Sequence, residues 1–281
     1  MNTRKSFLKT GIIGVAATIA SKLSTFSAQN TVINIDNGSL RLGMAGYSFL
    51  NFKLDKSLEM MTKLDIRYLC IKDFHLPYMS TDTEIADFQS KLKVANVIGY
   101  AVGPIYTKTK TEIDKAFEYA KRVGVNMIIG IPLHADLPYV EKKVKESNIK
   151  FAIHNHGPED ELYPTVESIY RHILGLDPRI GICFDIGHDT RAGKNISLDM
   201  QKYHKRIFDM HLKNVTAPSN TGTTCELGRG IIDIPAFFKV LKKLNYTGSC
   251  SLEYEKDMKD PIAGIAESVG YFRGVCDALS Q

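Results

Sequence analysis

The sequence predicts an α/β chain folded as a single-domain (β/α)8 barrel, on three observations. Strand-type and helix-type patterns alternate from residue 40 to residue 279 with no linker between them. The alternation fills roughly 250 residues, the length at which such a barrel closes. Four apolar runs in the second half stop abruptly at side chains able to hold a metal, as strands do where they open on a site.

The first segment to justify is residues 1–28, read as an export signal. Arg4-Lys5-Ser6-Phe7-Leu8-Lys9 is a basic start, and the apolar run from Gly11 to Ala20 is too short to span a bilayer. Small residues follow, with a cleavage site near Ser27-Ala28, so residues 29–281 are expected to be periplasmic with no stable membrane insertion. The basic run resembles a twin-arginine signal with lysine in the second arginine's place.

The barrel then reads in order. Strands are expected at 40–49, 68–74, 97–106 and 127–132, the last a continuous apolar run of the kind buried on both faces. Helices are expected at 54–64, 83–95, 111–123 (stopped by Gly124) and 137–147. The second half gives strands at 150–156, 180–188, 207–215 and 248–255. Its helices fall at 165–174, 198–204, 235–244 (with Pro235 in the first turn) and 261–279.

Composition narrows the function. The net charge is +5. Arg4, Lys5, Lys9 and Lys22 carry most of that excess and leave with the leader, so the remainder is close to neutral and has no bulk charge for nucleic acid. The cysteines are Cys70, Cys183, Cys225, Cys250 and Cys276, an odd number without CxxC spacing, read as thiols and not as a disulfide framework. Nothing selects between a monomer and a homo-oligomer.

The candidate chemistry sits at the strand ends. Phe151-Ala152-Ile153 leads into His154-Asn155-His156, and Gly181 to Phe184 into Asp185-Ile186-Gly187-His188. Ile207 to Met210 leads into His211-Leu212-Lys213, and Cys250-Ser251-Leu252 into Glu253-Tyr254-Glu255. Imidazoles mixed with carboxylates suit one divalent ion, Mn²⁺, Co²⁺, Fe²⁺, Mg²⁺ or Zn²⁺, with no thiolate placed to force zinc. Such an ion would polarise a substrate carbonyl and stabilise the enediolate formed when the neighbouring carbon loses its proton, with Glu253 as ligand and base. Glu255 is expected on the opposite face of a regular strand, as a buried pairing partner. Lys72 and His75, ending the second strand, are expected at the same mouth; Lys213 would pair with Asp185 or substrate oxygens, and Arg229 would reach over the site from the seventh loop. Asp185 could instead cap a helix or pair with Arg191. Tyr47, Phe74, Tyr106 and Tyr254 could stack on a sugar or simply pack, and His134 is a rim contact at most.

The turn Asp185-Ile186-Gly187-His188, the run His211-Leu212-Lys213-Asn214, Gly228-Arg229-Gly230-Ile231-Ile232-Asp233 and Ser251-Leu252-Glu253-Tyr254 carry a resemblance. From about residue 40 to 279 the chain resembles the xylose-isomerase-like TIM barrels of the sugar phosphate isomerase/epimerase group. The epimerases there imply Glu, Asp, His and Glu ligands from strands five to eight, of which the last three correspond to Asp185, His211 and Glu253. His154 stands where the fifth-strand glutamate would be. A two-glutamate proton exchange is thereby lost, and His156, Glu159 or water must supply the second group. The resemblance also implies that His188 binds a substrate hydroxyl.

The expectation is a metal-dependent isomerase or epimerase of a free, non-phosphorylated sugar or keto sugar. The alternatives are a lyase or hydratase acting on a 3-keto sugar or glycoside, and a carbohydrate-binding barrel without catalysis. An endonuclease reading is weakest, lacking both the ligands for three zinc ions and the positive charge.

Overall fold

The computed structural model describes residues 40–281; the leader expected over residues 1–28 lies outside them. In chain order the elements are β1 (Arg41–Ala45), α1 (Leu54–Lys63), β2 (Tyr68–Ile71), α2 (Asp82–Val94), β3 (Ile98–Thr107), α3 (Lys110–Val123), β4 (Met127–Pro132) and α4 (Leu137–Ser147). They continue as β5 (Lys150–His154), α5 (Val166–Ile173), β6 (Ile180–Asp185), α6 (Ile186–Arg191), α7 (Ile196–Tyr203), β7 (Ile207–Leu212) and β8 (Asn214–Val215). The last are β9 (Thr224–Cys225), α8 (Ile234–Lys243), β10 (Ser249–Leu252) and α9 (Ile262–Ala278). Strands β1-β10-β7-β6-β5-β4-β3-β2 close a parallel barrel, and β8 with β9 forms a separate hairpin. The expected (β/α)8 architecture is the one observed.

Every residue of β4 and β6 is buried, because a parallel barrel covers each strand on both faces. One apolar shell lies between staves and helices, from Met44 and Leu69 through Ile182 and Phe184 to Phe237 and Phe272. Inside the barrel a smaller plug of Cys70, Ala101, Met127, Ile129, Ala152 and Cys183 fills the lumen below the mouth. Truncating one such buried aliphatic side chain to alanine costs about 2–5 kcal/mol.

The helix starts follow capping chemistry. Thr81 and Glu84 form a reciprocal capping box on α2, so that helix starts ahead of the expected residue 83. Thr109 caps α3, and Gly124 ends it at φ 81°. Asp233 caps α8, with Pro235 in the first turn.

Several strands are shorter than the apolar pattern suggests, each for a local reason. The first ends at Ala45 and passes into a 3-10 turn, Gly46–Phe49. The second ends at Ile71. The sixth stops at Asp185, whose Oδ1 accepts the His188 backbone N–H at 2.8 Å and starts α6. The seventh stops at Leu212, and Asn214 and Val215 pair antiparallel with Cys225 and Thr224 instead. The eighth ends at Leu252, where the Ser48 hydroxyl accepts the Tyr254 N–H at 2.9 Å. No helix among the described residues is long and apolar enough to cross a membrane.

Candidate metal centre and active site

Register puts the ligands on one face. Cross-strand partners in a parallel sheet share a face, and side chains repeat every second residue. His154 pairs with Cys183, Asp185 with His211 and His211 with Ser251. All therefore project inward, with Glu253 one step beyond Ser251. The staves β5, β6, β7 and β10 are consecutive around the barrel, so the four groups meet.

Their ligating atoms all lie within 4.8 Å of one another. His154 Nε2 faces His211 Nδ1 at 2.9 Å, His211 Nδ1 is 3.1 Å from Glu253 Oε2, and His154 Nε2 is 3.6 Å from Asp185 Oδ2. Donors on one tetrahedral ion at about 2.0–2.2 Å would stand roughly 3.3–3.6 Å apart, so these residues fit a divalent ion. Asp185 Oδ2, fully buried and without a directed hydrogen bond, is the atom that most needs one.

The electrostatics agree. Lys213, almost wholly buried, holds its ammonium 3.0 Å from Asp185 Oδ2, 2.7 Å from Glu253 Oε2 and 2.7 Å from Glu255 Oε2. Burial alone would lower its pKa, but Asp185, Glu253 and Glu255 raise it well above the ordinary lysine value. Burial would likewise raise both carboxyls; the charges of His188 and Lys213 at Asp185, and of His211 and Lys213 at Glu253, hold them well below the usual carboxylate range. Burial, reinforced by His156, drops His154 well below the usual histidine value, and burial lowers His156 and takes His188 to about 4. Burial would lower His211 too, yet Glu253 lifts it above the ordinary value. Three carboxyls thus crowd one ammonium, an excess of buried negative charge that a dication would offset.

Above this cluster opens a pocket of ≈ 240 Å³, walled by Tyr47, Lys72, Pro104, Tyr106, His154, His156, His188, Glu253 and Glu255. Lys72 Nζ donates to the Pro104 carbonyl at 2.9 Å. Tyr106 stacks on His156 with the rings 17° from parallel, and Asp160 Oδ2 sits 3.5 Å from His156 Nδ1. Arg191 donates to His188 Nδ1 at 3.3 Å, which assigns the ring proton to Nε2. Arg191 is itself held by Glu159 and by the Asn220 carbonyl, so the alternative of an Asp185–Arg191 pair is not adopted. Gly157 turns away at φ 90°; a Cβ there would press on His188 Nδ1 at 3.0 Å.

Three expectations are corrected and a fourth, for Lys213, is narrowed to one of its alternatives. His75 does not reach the mouth: it is buried, with Nε2 against Ser57 Oγ at 3.1 Å, and burial lowers it to about 4. Arg229 does not reach over the pocket, because Glu267 on α9 holds it through two contacts, one of 2.6 Å. Lys213 pairs with Asp185 as one alternative had it, but it lies beneath the pocket wall and not on it. Glu255 is not on the opposite face: side chains two residues apart share a face, so it follows Glu253 to the mouth, where it pairs with Lys213 at 2.7 Å and both carboxyls wall the pocket. Of the aromatics, Tyr47 and Tyr106 line the pocket. Tyr254 is buried on Glu226 and Phe74 packs edge-on to His75. His134 stacks on His172 away from the pocket.

Two supporting residues escaped sequence reasoning. Asn155 clips β5 to β6, donating to the Asp185 carbonyl at 3.0 Å and accepting the Asp185 N–H at 2.9 Å. Arg191 orients His188 from one helical turn away, a spacing that was readable once α6 was placed.

Residues 101–275 match the family model described as xylose isomerase-like TIM barrel. The inosose isomerase of Bacillus velezensis is 22% identical over 235 residues, covering 72% of this chain and 84% of that one. The inosose dehydratase of Mesomycoplasma hyopneumoniae is 22% identical over 237 residues, covering 68% and 78%. The solved IOLI protein with a bound zinc atom superposes with a TM-score of 0.72 at 18% identity, over 85% of this chain and 99% of that one, a likeness of fold.

Proposed function

Because the chain belongs to the xylose isomerase-like TIM-barrel family, we propose that it is a divalent-metal-dependent isomerase or epimerase, removing and returning a proton beside the carbonyl of a free sugar or keto sugar. The convergence of His154 Nε2, Asp185 Oδ2, His211 Nδ1 and Glu253 Oε2 beneath a small polar pocket carries this reading. The inosose isomerase and the zinc-bearing IOLI barrel support it from outside.

Held by those four side chains, a divalent ion would supply Lewis acidity to a sugar carbonyl. The remaining work belongs to the chain. Glu253, kept ionised by His211 and Lys213 despite its burial, offers an oxygen to the departing carbon-bound proton. His188 directs its Nε2–H at a substrate hydroxyl, and Lys72 places an ammonium near developing negative charge. His156, with Asp160 near Nδ1, keeps Nε2 as an acceptor and supplies the second proton-transfer group that the missing fifth-strand carboxylate would have been.

A dehydratase is the second reading, favoured by Glu255 and by the inosose dehydratase relative. Burial raises the Glu255 pKa, so its carboxyl is suited to donate a proton to a leaving hydroxyl. A base takes the carbon-bound proton, the carbon–carbon double bond forms, and the hydroxyl departs as water.

Metal-loaded protein incubated in D₂O with aldoses, ketoses, inososes and 3-keto sugars, followed by mass spectrometry, separates these. Isomerisation or epimerisation exchanges a carbon-bound hydrogen for deuterium at constant oxygen count; dehydration removes one water. Glu253→Gln should be silent in both, with kcat reduced by about 10²–10⁴. Full activity in that variant, or no reaction with any of these sugars, would overturn the proposal.

A further inference from the structure

We infer that a second sugar subsite lies beside the central pocket, in the groove between the β8–β9 hairpin and the chain leaving β10, so that the substrate is a glycoside or disaccharide. This rests on the sugar reading above. The central pocket, at ≈ 240 Å³, is smaller than the roughly 300–1,000 Å³ of sites that enclose a larger ligand, and it suits one ring. A substrate with more than one ring must continue outward. Glu255 marks the way: the same side chain that walls the central pocket also walls a neighbouring groove of ≈ 550 Å³.

The groove's chemistry selects an uncharged, hydroxyl-rich occupant. Thr216, Thr223 and Thr224 line the hairpin side. Thr216 and Thr223 lock the hairpin through paired hydroxyls at 3.2 Å and a backbone bond of 3.0 Å, giving a preformed wall. The two cations present are already taken. Lys256 is held by both Glu226 oxygens at 3.0 and 3.1 Å, and Arg229 by Glu267. A phosphate would find no unengaged cation among these residues, and an apolar aglycone would desolvate carboxylates and hydroxyls without replacing their hydrogen bonds. A second sugar ring can exchange hydrogen bonds with all of them. The hairpin exists because Asn214 folds the seventh loop over, bonding Leu227 and Ile232 through its side chain, so the subsite is a product of this chain's own loop.

The test compares wild-type full-length protein with Thr224→Trp, which fills the groove and leaves the central pocket open. Thr223→Trp, at an exposed position on the same wall, runs in parallel in case the first variant misfolds. Binding of D-glucose, methyl α-D-glucopyranoside, maltose, cellobiose and trehalose is titrated by saturation-transfer NMR. At least one disaccharide should bind about tenfold or more tighter than the monosaccharides, and either folded tryptophan variant should abolish that advantage while glucose affinity stays within about twofold. Monosaccharide binding with no disaccharide advantage, or an advantage that survives both substitutions, overturns the subsite alone. Absence of binding by both classes also overturns the subsite, while the sugar reading beneath it stands or falls on the D₂O panel of ketoses, inososes and 3-keto sugars.

Discussion

Asp189 is a buried carboxyl that accepts the Val166 N–H at 3.0 Å and faces the Asp199 carboxyl. Burial, with the nearby charge of Asp199 adding to it and Lys194 opposing it only weakly, pushes its pKa up to about 8. An unfolded aspartate titrates near 3.9. A raised folded-state pKa means that the stability Asp189 contributes is complete below about pH 4 and is lost as pH climbs through about 8. Asp189→Asn keeps the acceptor for Val166 and cannot ionise, so its stability relative to the parent should rise by on the order of 4 kcal/mol between pH 5 and pH 9. Urea midpoints of both proteins at the two pH values measure this; a parent that does not fall behind the variant means that Asp189 is ionised inside the fold. Legibility at this scale follows the same physics. Asp185, His211 and Glu253 could be read from the sequence because each terminates an apolar run. His75 and Arg229 could not, because what disposes of them, Ser57 and Glu267, lies on other elements. Glu255 belongs beside Glu253 by the two-residue repeat, and the Lys213 ammonium that holds it there lies on another element.

Among the elements, α6 is the hinge between scaffold and site. Asp185 both ends β6 and caps α6, leaving its second oxygen for the cluster. Gly187 in the first turn of that helix lies against the Lys213 stem, where an added Cβ would collide with Cγ and Cδ. Gly187→Ala should therefore displace the Lys213 ammonium from Asp185 and Glu253, lowering stability by about 1–3 kcal/mol and reducing turnover. Thermal melts and kinetics on the variant check this, and parental values in both would show that the Lys213 contacts carry no weight. Continuous runs such as β4 were legible to their ends, because burial on both faces leaves no ambiguity of pattern. The boundaries of β6, β7 and β10 were not, since side chains decide them: Asp185 capping a helix, Asn214 folding a loop and Ser48 reaching the Tyr254 backbone from elsewhere in the chain.

At the level of the whole molecule, a closed parallel barrel brings four consecutive staves to one mouth and directs an imidazole or carboxylate from each at a common point. At that point buried negative charge collects against the single ammonium of Lys213. A divalent ion held there would relieve this and would join β5, β6, β7 and the end of β10 into one unit, coupling fold to chemistry. That geometry was foreseeable from strand order and inward register, and the Lys213–Asp185 pair was one expected alternative; that the same ammonium also meets Glu253 and Glu255 was not, because it depends on how far the seventh strand's end turns inward. The most direct measurement is an anomalous difference map from a crystal of the full chain soaked in Mn²⁺. The account predicts a single peak at about 2.0–2.3 Å from His154 Nε2, Asp185 Oδ2, His211 Nδ1 and Glu253 Oε2. No peak at that point, with His154 still hydrogen-bonded to His211 and Lys213 alone bridging the carboxylates, would contradict it.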